Sequence, residues 1–472
     1  MLERLADHDD ELMEELLSDI EPPRDRVFDD LARELRERQV VPVLIGSAER
    51  GNGVTRLLKA LRHEAPTLAE TRARLGVPDS GAPIAQVMKT LHTAHGGKLS
   101  VARVLRGRFA EGDTIVGSRG AESRIAGLVT LHGSSTTRVP EAQEGATLGF
   151  ARLESIATGD CIAVGKTRPN AIVSVAPPEP VYAVSIRVKD RKDDVRMTSA
   201  LAKIVEEDPA LVFETKADMG EMRLLGQGEM HLRVAVERLA SRFQVGVETG
   251  KSKVGYRETI KAGATARGRH KKQTGGHGQF GDVVIEVAPL PRGEGFVFND
   301  KITGGVVPRQ YIPSVETGVR DYIKKGPLGF PVVDLAVTLT DGSYHTVDSS
   351  DAAFQAAARL AMAEALPKAR SVLLEPVLAV EITIPTEALS KATGLVSGRR
   401  GQILGYDARP GWQGWDVLNA LIPESEIGDL IVELRSATAG VGTFSTRFDH
   451  MAELTGRPAE MVLAAAGARN GH

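Results

Sequence analysis

The stretch Arg267-Gly-Arg-His-Lys-Lys-Gln-Thr-Gly-Gly-His-Gly-Gln-Phe-Gly-Asp282 sets four fixed positive charges, Arg267, Arg269, Lys271 and Lys272, just ahead of glycines at 275, 276, 278 and 281. Cationic side chains attract a phosphate backbone. Glycine lets a chain turn through positive φ and come close to a bulky ligand. Gln273, Thr274, His277 and Gln279 add neutral donors and acceptors that can read a surface as well as neutralise it. Two readings fit these residues alone: an RNA-contacting loop, and a solvated hairpin with ordinary surface charge. The surrounding chain bears on the choice.

With 472 residues, 42% of them hydrophobic and 26% charged, the chain reads as several soluble globular domains. No apolar run is long enough to span a bilayer, and the N-terminus shows no apolar signal region. A single cysteine, Cys161, excludes an internal disulfide and a thiolate cluster and points to a cytoplasmic setting. Its apolar neighbours mark it as a small buried hydrophobe rather than a nucleophile. Net charge is -3, unevenly spread: residues 1–80 carry 18 acidic and 12 basic side chains, leaving 44 and 47 downstream. A nucleic-acid surface is therefore expected in the later part of the chain.

Outward from the opening stretch, residues 257–370 read as a helix over 310–325, a strand over 332–339 and a helix over 352–366. Loops 326–331 and 341–348 are expected at one end of this segment, with Asp341-Gly as a turn signal. Tyr344 and His345 would sit at the second loop's tip, a stacking ring beside a titratable donor. On either side lies a βαββαβ pattern, over 181–248 and again over 377–449, the ferredoxin-like order. Residues 84–165 carry short apolar runs between turn signals, the style of a small β-barrel. His92 and His95, three apart with no third ligand nearby, read as turn residues rather than a metal site.

At the front, Val40-Val-Pro-Val-Leu-Ile45 reads as an apolar strand, followed by a Gly-containing loop and a helix from Val54. That is the tail of an α/β unit, and a wholly apolar strand expects a parallel sheet with both faces covered. Pro66 to Pro83 reads as a linker. A phosphate-wrapping Gly-x-x-x-x-Gly-Lys-[Ser/Thr] loop is absent; Gly246-Val-Glu-Thr-Gly250-Lys251-Ser252 is one residue short and runs from a helix into a strand. No Asp-x-x-Gly occurs, and none of the asparagines at 52, 170, 299, 419 and 470 begins an Asn-Lys-x-Asp motif.

Together these motifs resemble elongation factor G, the ribosomal translocase, over essentially the whole chain. The resemblance rests on Gly46-Ser-Ala48, His95-Gly-Gly-Lys98, Gly226-Gln-Gly-Glu-Met-His-Leu232, Tyr256-Arg-Glu-Thr-Ile260 and Gly275-Gly-His-Gly-Gln-Phe-Gly281. It rests further on Asp341-Gly-Ser-Tyr-His345, Val347-Asp-Ser-Ser350 and Arg399-Arg-Gly-Gln-Ile-Leu-Gly405.

The resemblance implies a multidomain α+β chain. Its parts are a truncated α/β GTPase remnant (1–70), a β-barrel (82–170), a ferredoxin-like domain (180–252), an elongated α/β domain reaching the decoding site (255–372) and a second ferredoxin-like domain (375–455). It implies that Ser47 and Ala48 descend from the last nucleotide-binding motif, and that Gly275–Gly281 with Tyr344 and His345 face tRNA and mRNA. It places Arg399 and Arg400 toward the large subunit. The implied partner is the ribosome, through rRNA and tRNA, with the chain a monomer; GTP and magnesium belong to the intact family. The departures are the missing GTPase motifs, a 326–330 loop one residue short, and an Ala-rich tail after His450. They leave as alternatives an intact GTP-hydrolysing paralogue of which this is part, or a factor that protects or recycles ribosomes.

Overall fold

The computed structural model describes residues 2–37, 39–93, 97–133, 135–172, 176–273 and 278–470. Two compact units divide the chain, residues 1–176 and, apart from 206–208, residues 177–472.

In the first unit, helices Leu2–Ala6, Asp10–Leu17 and Arg24–Glu37 enclose a small core of Leu5, Ala6, Leu12 and Val27. Residues 40–45 join no ladder among the described residues, and Val43 and Ile45 are 83% and 91% exposed. The expected strand is therefore absent: a strand exists only through its neighbours, and none pairs with this run. The helix that follows, Val54–Glu64, has no buried residue. The expected linker holds a helix, Leu68–Arg74, started by a capping box in which Thr67 and Glu70 satisfy each other's backbone N–H groups.

The unit's main sheet is antiparallel and eight-stranded, with Ile84–Thr93 and Gly97–Arg106 at its centre. It ends at Glu122–Arg124 on one side and Ser135–Val139 on the other. The end strands do not pair with each other among the described residues, so the sheet is open where the turn spacing suggested a closed barrel. Both end strands are short and largely exposed, and the core is shut instead by side chains, with Phe109 edge-on to Phe150 at 5.5 Å. Cys161 is buried.

The second unit starts with a βαββαβ module. Its elements are β1 (Tyr182–Val188), α1 (Asp194–Glu207), β2 (Val212–Lys216), β3 (Glu221–Gly226), α2 (Glu229–Phe243) and β4 (Val247–Lys251), with sheet order β2-β3-β1-β4. Met197, Leu201 and Ile204 of α1 and Leu232, Ala235 and Leu239 of α2 recur at helical spacing and bury against β1 and β3.

The middle module follows with β5 (Arg257–Ile260), β6 (Ala264–Lys272), β7 (Gln279–Pro289), β8 (Phe296–Asp300), α3 (Ile312–Ile323), β9 (Leu335–Ser343) and α4 (Asp351–Lys368). Its sheet runs β6-β7-β9-β8, antiparallel except for the β8–β9 pair. Val283, Ile285, Val287, Leu335, Val337 and Leu339 alternate inward and pack on Phe354, Met362 and Leu366 of α4.

The C-terminal module is β10 (Ser371–Pro385), α5 (Leu389–Gly398), β11 (Gln402–Ala408), β12 (Trp415–Pro423), α6 (Leu430–Ala437) and β13 (Thr443–Glu453). The Ala-rich tail forms a last helix, α7 (Gly456–Asn470). β5 belongs in sequence to the middle segment, yet it pairs with β10 from Arg257↔Leu374 to Ile260↔Ser371.

Candidate nucleic-acid interface

The opening stretch is a hairpin. β6 and β7 pair without a break from Ala264↔Val287 to Lys272↔Gln279. Nine residues of strand carry the turn roughly 30 Å from the base of the module. Thr274, Gly275, Gly276 and His277 lie outside the described residues.

Strand alternation splits the cations. Arg267, Arg269 and Lys271 lie on the face away from the helices, and Lys272 shares the α4 side with Ala266 and Gly268. Arg267 is paired across the exposed sheet face. Its Nε and Nη2 donate to the two carboxylate oxygens of Asp282 at 2.8 and 2.5 Å, and the Ser343 hydroxyl donates to the same carboxylate at 2.7 Å. Asp282 is 1% exposed. The Arg267 hydrogen bonds hold its carboxyl below the ordinary Asp value against the opposing effect of burial. Arg269 lies over the Phe280 ring, 5.5 Å from its centroid. Lys271, Lys272 and Gln273 are exposed. Gln279 is tied to His270 at 3.0 Å. Thus all four cations reach solvent: Arg269, Lys271 and Lys272 are exposed, and Arg267, though paired with Asp282, is 60% exposed.

Two of the expected ligand-approach glycines serve packing instead. Gly281 does not take a positive φ. A Cβ on Gly281 would stand 2.5 Å from the Ala353 carbonyl oxygen of α4, and one on Gly278 2.7 Å from the Asp348 carboxyl carbon. Gly268 lies under Ala357 and Ala361 in the same way. Alanines at 353, 357, 361 and 365, four apart on α4 and all buried, bring the helix down onto the glycines of the hairpin.

Asp341-Gly342 does not turn the chain: β9 runs through both to Ser343. The ladder to β7 holds them extended, with Val283↔Gly342 and Val284↔Asp341. The loop after β9 then folds back on the hairpin. Phe280 N–H donates to the Asp348 carbonyl at 2.8 Å, and the Ser349 hydroxyl donates to the Phe280 carbonyl at 2.9 Å. His345 Nδ1 lies 3.3 and 3.1 Å from the Val347 and Asp348 N–H groups and 3.4 Å from the Asp348 carboxylate. The His345 ring is 6.3 Å from that of Phe280, and Tyr344 is exposed. Phe280, Tyr344, His345, Arg269 and Lys271 therefore form one aromatic and cationic surface beside the turn. Phe280 was missed as a site residue; its signal was its place one residue from Gln279 in an alternating strand. The 326–331 loop is not part of this surface. It precedes β9 while 344–349 follows it, so the nine-residue strand separates two loops expected at one end.

Arg399 and Arg400 are not free surface charges. Arg399 pairs with Glu433 at 2.8 Å, and Arg400 forks onto Glu375 at 2.6 and 2.9 Å. That hydrogen bonding to Glu375 raises the Arg400 pKa above its ordinary value. Ser47 and Ala48 close a small loop in the first unit, with Ser47 N–H donating to the Asn52 carbonyl at 2.9 Å and Gly51 N–H to that of Ala48 at 3.3 Å.

A hairpin-bearing α/β module between two βαββαβ modules is the order that the resemblance to a translation elongation factor implies. The profile of elongation factor G domain III matches residues 177–251, that of domain IV residues 252–370, and that of the elongation factor G C-terminus residues 372–462. An "Elongation factor G-like protein" of Synechocystis sp. is 49% identical over 456 residues, covering 96% of this chain and 67% of the relative. A crystal structure from Thermus thermophilus superposes with a TM-score of 0.75 at 34% identity, over 99% of this chain and 69% of that one. The chain belongs to the elongation factor G family.

Proposed function

We propose that these residues are the ribosome-binding part of a cytoplasmic, monomeric elongation factor G-like protein. In this reading the β6–β7 hairpin enters the decoding region beside tRNA and mRNA. The observation that carries it is the hairpin's end: Arg269 and Lys271 are exposed on the face that Phe280, Tyr344 and His345 join, and Lys272 is exposed on the other. Cations neutralise phosphate, and rings offer stacking faces to unpaired bases. Thr274, Gly275, Gly276 and His277 would complete the tip. Arg267 keeps the hairpin rigid through Asp282 rather than touching RNA. GTP and magnesium are assigned to the intact family and not to these residues, whose sequence has no phosphate-wrapping loop.

The test is ribosome association as a function of salt. Replacing both Lys271 and Lys272 with Gln should flatten the slope of log K against log salt by about 1.4 to 1.8. Arg267→Gln should leave that slope in place. An unchanged slope in the double variant overturns the reading, and so does GTP turnover by the purified chain.

A further inference from the structure

A second cluster, on the short turn Glu424–Glu426 after β12, lies in the C-terminal module. Arg400 sits at its centre with φ 53°, a backbone conformation rare for a side-chain-bearing residue. Its guanidinium forks onto Glu375 of β10, which is 4% exposed. The remaining donors go to the turn, Nε to Glu426 at 3.0 Å and Nη2 to the Ser425 hydroxyl at 3.0 Å.

The turn in turn holds the entry to the middle module. Glu424 accepts the Gly255 N–H at 3.4 Å. The Tyr256 ring stands edge-on to Phe330 at 5.7 Å. Phe330 belongs to the 326–331 loop, whose Leu328 and Phe330 N–H groups, both at 3.0 Å, are gathered by the buried carboxylate of Glu258. From the first βαββαβ module, Arg223 donates to Ser252 at 3.2 Å and stands 3.9 Å from Glu424. Glu221 accepts the Lys253 N–H at 3.1 Å. Residues 252–256 are therefore gripped by all three modules.

We infer that Arg400 and the Glu424–Glu426 turn form a latch that fixes the angle of the middle module against the C-terminal one. A planar fork aligned on Glu375 fixes direction as well as distance, which a lysine's point charge does not. With the latch broken, the four-residue β5–β10 ladder and the chain running from α4 into β10 remain as tethers, and the middle module pivots on them. This is a property of the arm's mechanics and stands apart from the RNA reading.

The test uses the whole chain without ribosomes. Dyes are placed at the exposed positions Lys301→Cys and Glu387→Cys in a Cys161→Ser background, and distances are read on single molecules. Arg400→Lys and Ser425→Ala should each broaden the distance distribution and speed amide exchange at Gly255 about tenfold or more, while exchange within α4 and β12 stays as in the parent. If Arg400→Lys unfolds the C-terminal module, the exposed Ser425→Ala substitution decides alone. A parental distribution with parental Gly255 exchange in the folded variants overturns the latch.

Discussion

Gly268→Ala is the substitution with the largest expected effect in the hairpin. An alanine Cβ there would stand 2.8 Å from the Ala361 Cβ and closer still to the Ala357 carbonyl oxygen. The Ala357 carbonyl oxygen sets the limit; carbon–oxygen contacts rest at about 3.3 Å, so α4 must withdraw from the sheet by roughly 1.3 Å. A gap of that size forfeits about half or more of each dispersion contact across the interface. The contacts at stake include those of Phe354, Met362 and Leu366, all fully buried. The obstructing atoms are mostly helix backbone and cannot rotate away, which puts the cost near the top of the usual overpacking range, about 3 kcal/mol. For a module of this size the melting transition should fall on the order of 10 °C. Calorimetry with hydrogen exchange over 264–289 and 351–368 measures this, with 415–453 as internal reference. The control is Gly394→Ala on an open face of α5, which should stabilise its helix by about 0.5–1 kcal/mol. A Gly268→Ala protein with an unchanged middle-module transition would refute the packing role.

The middle module also carries two carboxylates of opposite pH behaviour. Burial raises the Glu258 pKa above its ordinary 4.5, partly opposed by the Leu328 and Phe330 N–H groups, so its contribution is full below that value and declines as pH rises through the folded pKa. Glu258→Gln should remove that decline in melting temperature measured upward from about pH 4.5. Arg267 lowers the Asp282 pKa from 3.8, so its contribution is present above that value and lost on acidification through the folded pKa; Asp282→Asn should flatten the acid limb. In the first unit, the unpaired run 40–45 and the helix without buried residues should make Arg50 and Arg56 the first tryptic cuts, ahead of any between 371 and 453. Mass spectrometry of a digestion time course reads the order; early cleavage in the C-terminal module would contradict it.

The elements themselves were written locally. Apolar residues at helical spacing in α1 and α2, and alternation in β6, β7 and β10, carry their period within a few residues, so both βαββαβ modules and the hairpin could be read from the chain alone. Charge identity and the motif order likewise pointed to the family. Partner choice is another matter, because it depends on residues far apart in sequence. Arg267 is neutralised by Asp282 fifteen residues on, Arg400 by Glu375 twenty-five residues back, and Gly281 answers to Ala353. The same distance hid β5's pairing with β10 and left Val40–Ile45 without the sheet its composition calls for. Sequence alone determined which residues could be strand, helix, cation or turn. Only the tertiary structure decided which cations stay free for a phosphate, because neutralising a charge or seating a glycine takes a neighbour that local spacing does not name.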